Sequence, residues 1–203
     1  MKTKLERFAR GLILAPVLPL VGLLAFWWAA FALLPATWIP FTGISGLLFG
    51  VLADIFLLNK LLDRRLGLLF WMAVFLFYSI GIFGFFMGVP FFNVALAIPA
   101  GFVVGSRLAA ENADRLLLRK AAYRTAWFTS GVLAMICAAS AFIALASSST
   151  AYDLQGMLRL GFEVTQAMII ALILVGGLAL LALDWGLSVA SVRGTYMFLH
   201  RKV

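Results

Sequence analysis

Four stretches of this chain carry no charged residue, and two of them are twice as long as one membrane crossing requires. Residues 11–53 form a run of 43 without Asp, Glu, Lys or Arg, residues 66–106 one of 41, residues 125–152 one of 28 and residues 164–183 one of 20. A helix rises about 1.5 Å per residue and the hydrocarbon layer is about 30 Å thick, so about 20 apolar residues cross it once. Inside lipid every backbone N–H and C=O needs a partner, which leaves helices or closed barrels. No stretch alternates polar and apolar residues over the ten or so positions of a barrel strand. The runs are therefore helical. Prolines divide the two long ones, at Pro35-Ala-Thr-Trp-Ile-Pro40 and at Gly88-Val-Pro90, because proline lacks the donor that a continuing helix needs. The reading is an all-α, polytopic bundle over 1–203 as a single transmembrane domain. Its six spans lie at about 11–34, 41–59, 66–88, 90–108, 125–147 and 162–185.

Composition agrees. Only 12% of the residues are charged and 65% are hydrophobic, against about 25% charged in a soluble domain. Lipid is the expected solvent. Six spans place Lys2, Lys4, Arg7, Arg10, Lys60, Arg64, Arg65, Arg107, Arg115, Arg119, Lys120, Arg124, Arg193, Arg201 and Lys202 at one side and Arg159 alone at the other. The positive-inside rule makes the first side cytoplasmic and puts both termini there, in the inner (plasma) membrane of a prokaryote. The net charge of +8 is then accounted for by juxtamembrane loops, and no loop is long enough to build a nucleic-acid recognition module. The basic N-terminus with its long apolar stretch reads as an uncleaved first helix, since a secretory apolar core is about 7–15 residues. One cysteine, Cys137, and one histidine, His200, leave no disulfide and no His/Cys metal set, so no metal or other cofactor is expected.

Ionisable groups inside spans are costly and draw attention to function. Asp54 lies deep in the second span and Arg107 at the end of the fourth, and an Asp54–Arg107 pair would let both stay charged. Asp184 falls at the cytoplasmic end of span six, where the basic loops would neutralise it. On the outer side, Asn93, Arg159, Glu163 and Gln166 are candidates for a small-molecule site. Arg159 would be the anchor and Glu163, four residues on, its orienting partner at a helix entry. Residues 109–124 read as a short helix lying on the cytoplasmic interface, with Glu111 and Arg115 spaced as an ion pair, and the tail 186–203 as a second interfacial segment. Gly46-x-x-x-Gly50 and Gly101-x-x-x-Gly105 read as flat faces for close helix packing.

The run Gly43-Ile-Ser-Gly46-Leu-Leu-Phe-Gly50-Val-Leu-Ala-Asp54 resembles the second helix of the S components of energy-coupling-factor vitamin transporters. Ala25-x-x-x-Ala29 resembles the small-residue pattern by which those proteins dock a partner. The resemblance implies six helices, both termini cytoplasmic, a small ligand held near the outer face and a second membrane subunit as partner. No metalloprotease, nucleophile-elbow or phosphate-loop pattern is present. The sequence favours a non-catalytic solute-binding or transport subunit, with an assembly subunit of a membrane complex as the alternative and an intramembrane enzyme as the third class.

Overall fold

Prolines, glycines and two short polar residues make the corners of a chain that is otherwise almost continuous helix. A computed structural model describes residues 4–64, 66–86, 88–147, 149–159 and 161–200. Eight helices run in order: α1 (Lys4–Leu14), α2 (Val17–Leu33), α3 (Ile39–Asp63), α4 (Leu68–Phe85), α5 (Ala97–Ala110), α6 (Arg115–Ala146), α7 (Thr150–Leu158) and α8 (Gln166–His200). Short 3-10 segments at Ala36–Trp38 and Pro90–Leu96 lead into α3 and α5. No strand occurs among the described residues. The fold is all-α, and six helical stretches are long and apolar enough to cross a membrane: Glu6–Leu33, Ala36–Asp63, Leu68–Phe85, Pro90–Ala110, Arg115–Ala146 and Gln166–His200. This is a multi-pass membrane protein.

The chain divides into two compact units, Met1–Phe70 and Trp71–Val203. In the first, α2 and α3 form a hairpin joined at Pro35–Trp38, and their contact is backbone on backbone. A Cβ added to Gly46 would meet the Gly22 carbonyl oxygen and lie 2.5 Å from Phe26 Cβ, and one on Gly50 would lie 2.6 Å from Pro19 Cα. The glycine face is what allows this approach, and the return is dispersion contact along the seam. Pro16 interrupts the descent between α1 and α2. Below the break Arg7 reaches Asp63 at 3.5 Å, and Arg10 pairs with Glu6 at 2.6 Å.

In the second unit α5 and α6 both pack on α8. Gly101 and Gly105 lie under Ser191, Val192 and Thr195 of α8, and Ser191 Oγ donates to the Ile98 carbonyl at 2.7 Å. Ala122 and Ala126 of α6 are fully buried, and their small side chains let α6 close on α8 around Val192. Gly88 ends the α4 turn with φ +85°, a left-handed backbone that glycine alone takes without cost. Its N–H closes on the Phe83 carbonyl at 2.8 Å.

Two expected boundaries differ. The interfacial helix expected over 109–124 is two pieces. Residues through Ala110 complete α5, Asn112 turns the chain with φ 49°, and Asp114 caps α6 by accepting from the Leu117 N–H at 2.7 Å. Asn tolerates the left-handed conformation and Asp is a strong N-cap, so the Asn-Ala-Asp run stops one helix and starts the next. From Arg115 the backbone then continues without a break to Ala146. Likewise α8 does not end near 185 but runs to His200, so the tail expected as a second interfacial segment over 186–203 is the continuation of α8 through residue 200. At 32 and 35 residues these helices are about 48 and 53 Å long, well beyond a 30 Å hydrocarbon layer. Residues 201–203 lie outside the described residues.

Candidate functional site

Among the described residues of the second unit Asp184 is the one buried acid. It stands nineteenth in α8, with Ser188 one turn later on the same face, and α6 presents Thr129 and Ser130 opposite. Only 1% of Asp184 is exposed, and Thr129 and Ser188 are fully buried. Thr129 Oγ1 and Ser130 Oγ each lie 2.8 Å from Asp184 Oδ2, and Ser188 Oγ lies 2.7 Å from Thr129 Oγ1.

The hydrogens can be counted. Each hydroxyl has one proton to give and two lone pairs. An ionised carboxylate only accepts, so Thr129 and Ser130 donate to it, and Ser188 donates to Thr129. The chain of donors points inward to one oxygen. Every partner in it is neutral, and among the described residues no Lys, Arg or His comes within ion-pair distance of Asp184. Neutralisation by the basic loops, expected from the sequence, is replaced by hydroxyl donation. The reason is position: Asp184 faces α6 inside the α6–α8 seam, while the cations of α6 and α8 project outward and are exposed. Thr129 also has the Ala126 carbonyl at 3.2 Å, so its proton has a second acceptor in its own helix.

The expected outer residues are not assembled in one pocket. Asn93 lies on the 3-10 segment, 3% exposed, with Nδ2 donating to the Ser79 carbonyl at 2.8 Å. Its Oδ1 is buried with no partner among the described residues. Arg159 ends α7 in a left-handed conformation, φ 50°, and is exposed. Glu163 is exposed and precedes α8, which begins at Gln166. Arg159 and Glu163 therefore do not share a helix, and no ion pair joins them among the described residues. Gln166 lines a cavity of about 190 Å³ with Ala144, Leu145, Ser147, Ala151 and Ile169. The short helix α7, which contributes Ala151, fills the stretch between the fifth and sixth expected spans. Ser149 stands at its N-cap position without a side-chain cap, and its Oγ donates instead to Asp153 at 2.8 Å.

Asp54 belongs to the first unit. It extends the Gly43, Gly46, Gly50 face of α3 by one turn, is 9% exposed, and has no hydrogen-bond or ion-pair partner among the described residues. Arg107 belongs to the second unit, is exposed, and gives Nε to Glu111 at 3.0 Å. Glu111 thus pairs backward along α5 rather than forward with Arg115, because the turn at Asn112 separates it from α6.

No family model matches the chain, and no curated protein or solved structure is detectably similar to it.

Proposed function

We propose that the protein is a non-catalytic membrane subunit that binds a small solute and passes it across the bilayer, and that the solute presents a monovalent positive charge to Asp184. The observation that carries this reading is a fully buried carboxylate whose partners are all neutral hydroxyls. A buried charge without a counter-charge costs several kcal/mol, and packing alone would be served as well by an apolar residue. Carboxylate and hydroxyl oxygens are hard ligands that suit a hard cation. Thr129 can turn its proton to Ala126 and free a lone pair for one. In sodium chloride the purified protein should melt about 5–10 °C higher than in choline chloride of equal ionic strength, once sodium stands a hundredfold above its Kd. Asp184→Asn should erase the difference. Equal melting in the two salts, or a shift that survives the substitution, would refute sodium binding at Asp184.

The second reading, an assembly subunit, draws on small-residue faces that are open among the described residues of their own unit. Ala25 and Ala29 are exposed on α2, and a Cβ on Gly81, Gly84, Gly176 or Gly177 would find no atom within 4 Å. The resemblance of α2 and α3 to transporter S components suits either reading, since such subunits both bind a solute and dock a partner.

We further place both termini in the cytoplasm of a prokaryote. Single cysteines at Thr37, Ser149 and Lys120, in a Cys137→Ser background, should label with an impermeant thiol reagent in intact cells at the first two positions only. The reverse pattern would invert the topology.

A further inference from the structure

The basic end of the second unit holds an arrangement that neither positive-inside bias nor the cation reading requires. Tyr123 of α6 has the Arg119 guanidinium carbon 5.7 Å from its ring centre and the Arg193 guanidinium carbon, from α8, 5.9 Å from it. The ring lies 6.2 Å from Trp185, which meets Trp127 edge-on at 4.8 Å. Both arginines are exposed and neither has a carboxylate partner among the described residues. The nearby acids in sequence are engaged elsewhere, Glu111 with Arg107 and Asp114 with the start of α6.

Depth identifies the partner. Trp127 is 71% exposed, and tryptophans of this kind mark the boundary between hydrocarbon and headgroups. Arg119 stands eight residues before Trp127 and Arg193 eight after Trp185, which is about 12 Å beyond the tryptophans along each helix. From there a flexible arginine reaches back to the phosphate level. Below Trp127 on the same face is Gly131, exposed and with nothing within 4 Å of an added Cβ, and then exposed Met135. The missing side chain leaves a shallow furrow between Trp127 and Met135 on this face of α6.

We propose that this face binds one anionic glycerophospholipid, its phosphate held between Arg119 and Arg193 and one acyl chain lying along Trp127, Gly131 and Met135. Guanidinium groups match phosphate oxygens with paired donors, and stacking on Tyr123 fixes the two forks that come from different helices. The furrow separates a lipid from free phosphate, which would use the arginines alone.

The test is native mass spectrometry of the whole protein released from nanodiscs of phosphatidylcholine with phosphatidylglycerol. A phosphatidylglycerol adduct is expected, and Arg119→Gln with Arg193→Gln should weaken it about tenfold or more. Lys120→Gln with Arg124→Gln removes the same charge away from the Tyr123 ring and should leave the adduct within about twofold. Gly131→Leu fills the furrow without touching charge and should also reduce it, and unchanged melting in phosphatidylcholine alone shows that each variant is folded. Equal loss in the two charge pairs, indifference to Gly131→Leu, or displacement by inorganic phosphate at millimolar concentration would each overturn the site.

Discussion

Gly46→Leu is expected to prevent the α2–α3 hairpin from closing. The first atom added already overlaps the Gly22 carbonyl and the Phe26 side chain, and three further carbons have nowhere to go. Overpacking in a core commonly costs 1–3 kcal/mol when side chains can shift. Here the obstacle is backbone on both helices, so about 3 kcal/mol or more is expected, a large part of the 5–15 kcal/mol that holds a typical domain together. The melting temperature in detergent and the yield of folded protein should both fall sharply. Gly176→Leu on α8, where an added Cβ meets nothing, should change stability by no more than about 0.5 kcal/mol. If the two variants melted alike, the glycine seam would not be what joins α2 to α3.

Thr129→Val is expected to cost about 1.5–3 kcal/mol, the range for a hydrogen bond to a charged group. Valine keeps the shape but removes one of the two donors to Asp184 Oδ2 and strands the Ser188 hydroxyl beside it. In an Asp184→Asn background the same change should cost less, because a neutral amide oxygen depends less on its donors. Groups in one network show coupling of about 0.5–3 kcal/mol. Unfolding the two single variants, the double variant and the parent gives that coupling. Additive losses would mean that Thr129 and Asp184 are neighbours without a shared network.

The membrane architecture was legible because its signal is repeated along the chain. Uncharged runs, paired prolines and segregated basic residues all require the same six spans, and the structure differs mainly in how far α6 and α8 extend past them. The glycine patterns at Gly46/Gly50 and Gly101/Gly105 also announced close packing, although not that Gly22 and Ser191 would be the surfaces met. Asp184 stood out as the acid that closes the last uncharged run, yet it lies mid-helix in α8 and its partners were invisible. Thr129 and Ser130 sit 54 or more residues away within a stretch that hydropathy reads as plain span, and no periodicity reveals which face of one helix meets another. The α5–α6 corner was readable and misread. Asn112 and Asp114 are stop and start signals, but the Glu111–Arg115 spacing suggested a continuous turn across them. Arg159 and Glu163 show the same error in reverse: a four-residue spacing implies contact only if the helix between them exists, and Arg159 ends one helix before Gln166 begins the next.

Cation binding at Asp184 is tested most directly by equilibrium binding of radiolabelled sodium to the purified protein. Saturable binding to one site per chain is expected, abolished by Asp184→Asn and weakened by Thr129→Val. Absence of saturable binding, or binding that Asp184→Asn leaves intact, would contradict it.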